Sequence, residues 1–180
     1  MAITKATGAV LGNYPRGSNN VVVGNGALDS LDASSPGGSN VAIGSNAMTA
    51  NTTGATNVAV GSGALDANTT GSNNVGVGAD AGGAITTGAH NVAIGKSALL
   101  TETTGNYNVA VGKEALRYNT TASNNTAVGY RALEDNTTAS DNTALGSQAL
   151  NANTTGAFNT AVGARSLDAN TTGAGNTAVG

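Results

Sequence analysis

The residue types that usually do chemistry are sparse here and poorly placed for it. His90 is the only histidine, and neither a His-based metal site nor a Ser-His-Asp arrangement finds its partners around it. The carboxylates Asp66, Asp80, Glu114 and Asp168 are not in one register with each other, and the Gly-Gly-x-Gly-x-Asp calcium pattern is missing. Gly95-Lys96-Ser97 ends like a phosphate loop but lacks the glycine that should precede it, which leaves its glycine structural. Asn-x-Thr triplets begin at Asn51, Asn68, Asn119, Asn136, Asn153 and Asn170; they match a glycosylation acceptor, but are read as turn residues. No catalytic residue, metal ligand or cofactor site follows, and the chain is expected to be non-enzymatic.

Two patterns suit contact rather than catalysis. Tyr107, Arg117, Tyr118, Tyr130, Arg131, Phe158 and Arg165 gather in the second half of the chain, and aromatic and Arg side chains are enriched where proteins touch partners. Paired threonines run from Thr52-Thr53 to Thr171-Thr172, and a flat threonine face is one way to bind ice. Adjacent residues of an extended chain point to opposite sides, however, so a flat row would use Thr-x-Thr.

These residues are positioned by a repeat. Asn57-Val58-Ala59-Val60-Gly61 recurs in variant form from Asn20, Asn40, Asn57, Asn74, Asn91, Asn108, Asn125, Asn142, Asn159 and Asn176, at a constant 17 residues after Asn40 and 20 before it. A fixed period of this size marks stacked supersecondary units. Counting the Asn as position one, position three is nearly always Ala, four a larger aliphatic and five always Gly. Position two is Val as far as Val109, then Thr from Thr126. Three such residues between Asn and Gly predict a very short strand with positions two and four on one face. The Gly, as at Gly61 and Gly112, predicts a corner. An Ala-Leu arm follows, as at Leu65 and Leu116, either one helical turn or a second short strand. Asn-Thr-Thr-Gly then supplies a turn and an extended return. The position-one Asn, as at Asn57 and Asn108, predicts a side-chain amide ladder or an Asx turn.

The fold class expected is all-β: a parallel β-solenoid or β-roll of 17-residue coils over residues 20–180, about 43 Å from first motif to last at the spacing of paired strands. Residues 1–19 are expected to form a cap or attachment segment, and residues 31–38, with Pro36, a surface loop. The position-four aliphatic and the Leu are expected to fill the interior. The Asn74 coil, with Gly76 and Gly82 in otherwise filled columns, should be the thin place.

Composition agrees with a packed repeat. Charged residues are 9% and aromatics 3%, with 27 glycines in 180 residues and a net charge of −3, against roughly 25% charged in ordinary domains. Lys and Arg are scattered from Lys5 to Arg165, which argues against nucleic acid. There is no cysteine. No apolar run approaches the ~18 residues of a membrane span, and Met1 to Gly8 shows no basic segment followed by an apolar core, so export by a signal peptide is not expected. Two large aliphatics per coil, at ~1.5–3 kcal/mol each, are a small return against the backbone entropy of each coil. Both strand faces are uncharged, as in strands covered on both sides, which favours several chains packed together. The final strand, ending at Gly180 without a polar cap, predicts end-to-end association.

The Asn-x-Ala-Val/Ile-Gly core with Ala-Leu and Asn-Thr-Thr-Gly resembles the β-roll repeats of phage tail fibres that carry an endosialidase-type chaperone domain. More distantly it is similar to the heads of trimeric autotransporter adhesins. The resemblance spans Asn20 to Gly180. It implies a homotrimeric structural shaft or receptor-contacting segment in a virion fibre, touching a host cell-surface glycan or protein. The alternatives are a bacterial trimeric adhesin head on the cell surface and a self-assembling extracellular filament.

Overall fold

The computed structural model describes residues 19–31 and 37–180. The expected cap, apart from Asn19, and the centre of the expected loop, residues 32–36, lie outside them. Ten strands of three residues follow one another: β1 (Val21–Val23), β2 (Val41–Ile43), β3 (Val58–Val60), β4 (Val75–Val77), β5 (Val92–Ile94), β6 (Val109–Val111), β7 (Thr126–Val128), β8 (Thr143–Leu145), β9 (Thr160–Val162) and β10 (Thr177–Val179). They form one parallel sheet in sequence order, each strand pairing with its successor in the same register, so that Val58 faces Val75 and Ala59 faces Gly76. The fold is a β-solenoid, one coil per repeat, with no helix among the described residues.

Glycine ends each strand for two reasons that act together. At position five φ lies far on the positive side, +139° at Gly61 and +135° at Gly112, where L side chains are strained. The glycines also stack directly: a Cβ on Gly61 would stand 2.4 Å from the Gly78 carbonyl oxygen, and one on Gly112 2.4 Å from that of Gly129. A side chain in this column would push the coils apart.

The Ala-Leu arm is neither a helical turn nor a strand. It is a run of turns in which positions seven and nine are left-handed, with φ +62° at Glu114 and +50° at Leu116. Such φ values cost a non-glycine residue of order 1–3 kcal/mol, and the hydrogen bonds show what offsets that. Alternating handedness aims the backbone donors along the rod rather than within the coil. Leu65 N donates to Ala81 O at 3.0 Å and Ala67 N to Gly83 O at 3.1 Å in the next coil, while Gly63 N donates to Ser45 O at 3.0 Å in the previous one. A helical turn would have closed these bonds inside its own coil, leaving nothing to join it to its neighbours.

The core differs from expectation in which strand face it uses. Position three points inward: Ala42, Ala59, Ala93, Ala110, Ala127, Ala144 and Ala161 are fully buried. Position four points outward, where Ile94 is 39% and Val128 38% exposed, and position two is half-buried beside it. The interior consists of the two alanines of each coil, the Leu at position nine (Leu65, Leu99, Leu116, Leu133, Leu150) and two asparagines. It is thin. At Gly76 a Cβ would come within 2.9 Å of Leu65 Cγ, so the Leu side chains already reach across to the inner strand face. Where a preceding coil supplies that Leu, position three is Ala or Gly; the buried Val22 of β1 has no described coil before it.

The thin place expected in the Asn74 coil is not there. Position twelve, Asn in most coils, is Ile85, fully buried. Its Cδ1 lies 3.0 Å, and Leu65 Cδ2 2.8 Å, from where a Cβ on Gly82 would stand. The two neighbours close the gap.

Candidate contact surface

Asparagine holds the inside of the coil. Most position-one asparagines use the side chain twice, as Asn57 does: its Oδ1 accepts from Asn74 N at 2.8 Å and its Nδ2 donates to Gly71 O at 2.9 Å, whereas Asn142 Nδ2 donates to Ser140 O at 3.3 Å. This links the coil to its successor and clamps its own return segment. An amide-to-amide ladder also forms, chiefly at position twelve, where Asn136 Nδ2 donates to Asn119 Oδ1 at 2.7 Å and Asn170 Nδ2 to Asn153 Oδ1 at 3.0 Å. These are the asparagines of the Asn-x-Thr triplets. Asn51, Asn68, Asn119, Asn136 and Asn153 are fully buried, so their amides are structural rather than open to modification.

Two coils break the ladder. Ile85 offers Asn68 no donor, and Asn68 Oδ1 is buried without a hydrogen-bond partner. One coil further on, Glu102 occupies the column, fully buried. Its Oε1 accepts from Gly105 N at 2.5 Å and Thr104 N at 3.1 Å, and its Oε2 accepts from Asn119 Nδ2. Burial pushes its carboxyl above the usual range, and these donors only partly oppose that. Sequence reading had passed over both substitutions, although each stands out once the column is aligned.

The threonine pairs divide their labour. Thr69 Oγ1 donates to Thr86 O at 3.1 Å and Thr103 Oγ1 to Thr120 O at 2.9 Å, so the first threonine ties one coil to the next. The second threonine of each pair is exposed. A double row of free hydroxyls is therefore not presented.

Charge, scattered along the chain, is gathered around the coil. Among the described residues every charged side chain except buried Glu102 and exposed Asp141 falls in the turn run after the strand, at positions six to eleven. The strand face carries none. On the turn side the Asn108 and Asn125 coils bring together Lys113, Glu114, Arg117, Tyr118, Tyr130, Arg131 and Glu134. Arg131 Nε lies 2.8 Å from Glu114 Oε2 and 3.5 Å from Glu134 Oε2, and Arg117 Nη1 lies 3.8 Å from Glu114 and 3.9 Å from Glu134. Lys113 Nζ is 3.5 Å from Glu114. The Arg131 hydrogen bond holds the Glu114 carboxyl below the usual carboxylate range and holds Arg131 more firmly in its charged form. Lys113 and Arg131 lie 5.7 and 5.2 Å from the Tyr130 ring centre, and Arg117 lies 5.0 Å from that of Tyr118.

Of the contact residues expected from sequence, Arg117, Tyr118, Tyr130 and Arg131 thus form one cluster, while Lys113, Glu114 and Glu134 were missed. For Glu114 and Glu134 the signal was their spacing of 3 and 17 residues from the two arginines, and for Lys113 its 17 residues from Tyr130. Arg165 shares Arg131's column but sits two coils away, its Nε donating to Gln148 Oε1 at 3.3 Å. Tyr107 and Phe158 belong to position seventeen, before the strand. There Tyr107 stacks on His90 with ring centres 4.9 Å apart and planes 8° from parallel.

Among the described residues no three His, Cys, Asp or Glu side chains stand close enough to hold a metal ion, and no helix is long and apolar enough to cross a membrane. No protein-family model, curated protein or solved structure matches the chain.

Proposed function

We propose that the chain is a non-enzymatic structural protein: one strand of a homotrimeric β-solenoid shaft in a virion tail fibre, carrying a host-contacting surface on its turn side. The observation that carries this is the outward face of the ten-stranded sheet. Positions two and four present twenty side chains in register, sixteen aliphatic and four threonine, without one charge. At roughly 50 Å² of open surface each, they offer on the order of 1,000 Å², more than the ~800 Å² per partner of a standard stable interface. Contiguous apolar area on this scale marks an interaction face. A second copy has the same axial repeat, so its side chains meet this array at every coil, whereas a partner of another period would meet it only at intervals. Charge gathered on the turn side, Asp141 apart, leaves that side open to water and to a host surface when the strand faces are joined.

Sedimentation equilibrium tests the oligomer. The expected mass is about 52 kDa, three times the 17.2 kDa of one chain. A folded species of one-chain mass at micromolar concentration would overturn the shaft. Antibody labelling of intact phage particles tests the location, with label along the fibres as the expected result.

A further inference from the structure

We infer that the cluster on the Asn108 and Asn125 coils binds a short acidic saccharide, of the class that carries uronate carboxylates. The cluster is layered. The carboxylate-bearing side chains of Glu114 and Glu134 are only 12% and 10% exposed and form a floor. Above it stand Lys113, Arg117 and Arg131, with side chains 52%, 31% and 38% exposed, beside the Tyr118 and Tyr130 rings. What faces solvent is therefore cationic and aromatic.

Three cations over two carboxylates leave one positive charge unbalanced. A network that served only to join coils would not require that excess, nor two open tyrosines, and solvent-exposed ion pairs add little to stability. A sugar acid answers each of them. Its carboxylate suits a guanidinium fork, its ring hydroxyls suit the floor carboxylates and the tyrosine hydroxyls, and its C–H face packs on a phenol ring. The cluster spans two coils, about 5 Å apart, which suits a short oligosaccharide rather than a polymer track. Nucleic acid fits less well: its affinity comes from many phosphates on many cations, whereas outside the cluster this side offers single cations, Lys96 and Arg165, interspersed with Asp66, Asp80 and Asp168.

The inference rests on the host-contact part of the proposed function and not on the trimer, since the cluster lies in the turn run and not on the strand face. The two are measured separately: mass reports the oligomer and calorimetry reports the ligand. Titration of the full chain with trigalacturonate, neutral maltotriose and a thymidine tetranucleotide is expected to show binding of the first, weakened by salt and stronger than either of the others. Lys113→Gln and Tyr118→Ser, each checked for an unchanged far-ultraviolet spectrum, are expected to weaken it about tenfold, the worth of one charge-assisted hydrogen bond in the first and of one ring contact in the second. Arg165→Gln, in the same column but outside the cluster, should leave it within about twofold. The assignment is overturned by any of three results. These are no heat with trigalacturonate at about 1 mM, equal or tighter binding of maltotriose or the tetranucleotide, or equal losses in Arg165→Gln and Lys113→Gln.

Discussion

Ile85 takes the place of the side chain that Gly82 lacks: its Cδ1 lies 3.0 Å from where a Cβ on Gly82 would stand, three residues back in the same coil. The pair exchanges the usual Leu at nine and Asn at twelve for Gly and Ile, and keeps the core filled. Ile85→Ala should therefore cost about 2–5 kcal/mol by chemical denaturation, as a core truncation does. Gly82→Leu alone should also destabilise, because its side chain meets Ile85. The double variant Gly82→Leu, Ile85→Asn should recover stability, since φ +62° at Gly82 is close to the +50° of Leu116 and Asn68 Oδ1 regains a donor. Additive losses would show that the two positions are not coupled. Hydrogen exchange should find the Asn74 coil as protected as its neighbours.

The strand face gives a second test. Leu116 is fully buried and Leu116→Ala should cost about 2–5 kcal/mol per chain whatever the oligomer. Ile94, 39% exposed, points outward in a single chain. If strand faces are joined in the shaft, Ile94→Ser should lower the sedimentation mass while the circular dichroism of the coil persists. If mass and stability both stay unchanged, that face is not an interface.

Glu102 sets a pH dependence. Its folded-state carboxyl is raised above the ordinary 4.5, mainly by burial. A raised carboxyl makes the fold more stable below the ordinary value, and that contribution is lost as pH rises through the folded-state value. Denaturation from pH 4 upward should show wild type losing stability towards neutrality relative to Glu102→Gln, whose profile should be flatter. Parallel profiles would show that the buried carboxyl titrates as it does in the unfolded chain.

The stacked glycine column is a fourth test. Gly112→Ala places a Cβ 2.4 Å from the Gly129 carbonyl oxygen at φ +135°. Strain and steric overlap together should cost more than about 4 kcal/mol, in the range of the most damaging single substitutions. Gly175→Ala makes a control, because nothing lies within 4 Å of its Cβ position. Its loss should be the smaller one, from φ +71° alone.

The period, the ten short strands, their parallel class and the glycine corners could all be read from the chain, because each is dictated locally and repeated. Asn-x-Ala-Val-Gly admits few backbone paths, and ten aligned copies remove the ambiguity of any one. Which strand face turns inward was decided only in three dimensions. Ala59 and Val60 are both apolar, and alternation alone cannot rank them. The choice follows from the narrow interior, where Leu65 from the turn run reaches across to the inner face, and only β1, with no described coil before it, carries the larger Val22 there. The turn run was equally hidden, since left-handed Glu114 and Leu116 violate local preference and are held there by hydrogen bonds to coils 17 residues away. The same long-range stacking places Arg131 on Glu114 and collects dispersed charges into one patch. Columns seventeen residues apart become neighbours only when the rod is wound.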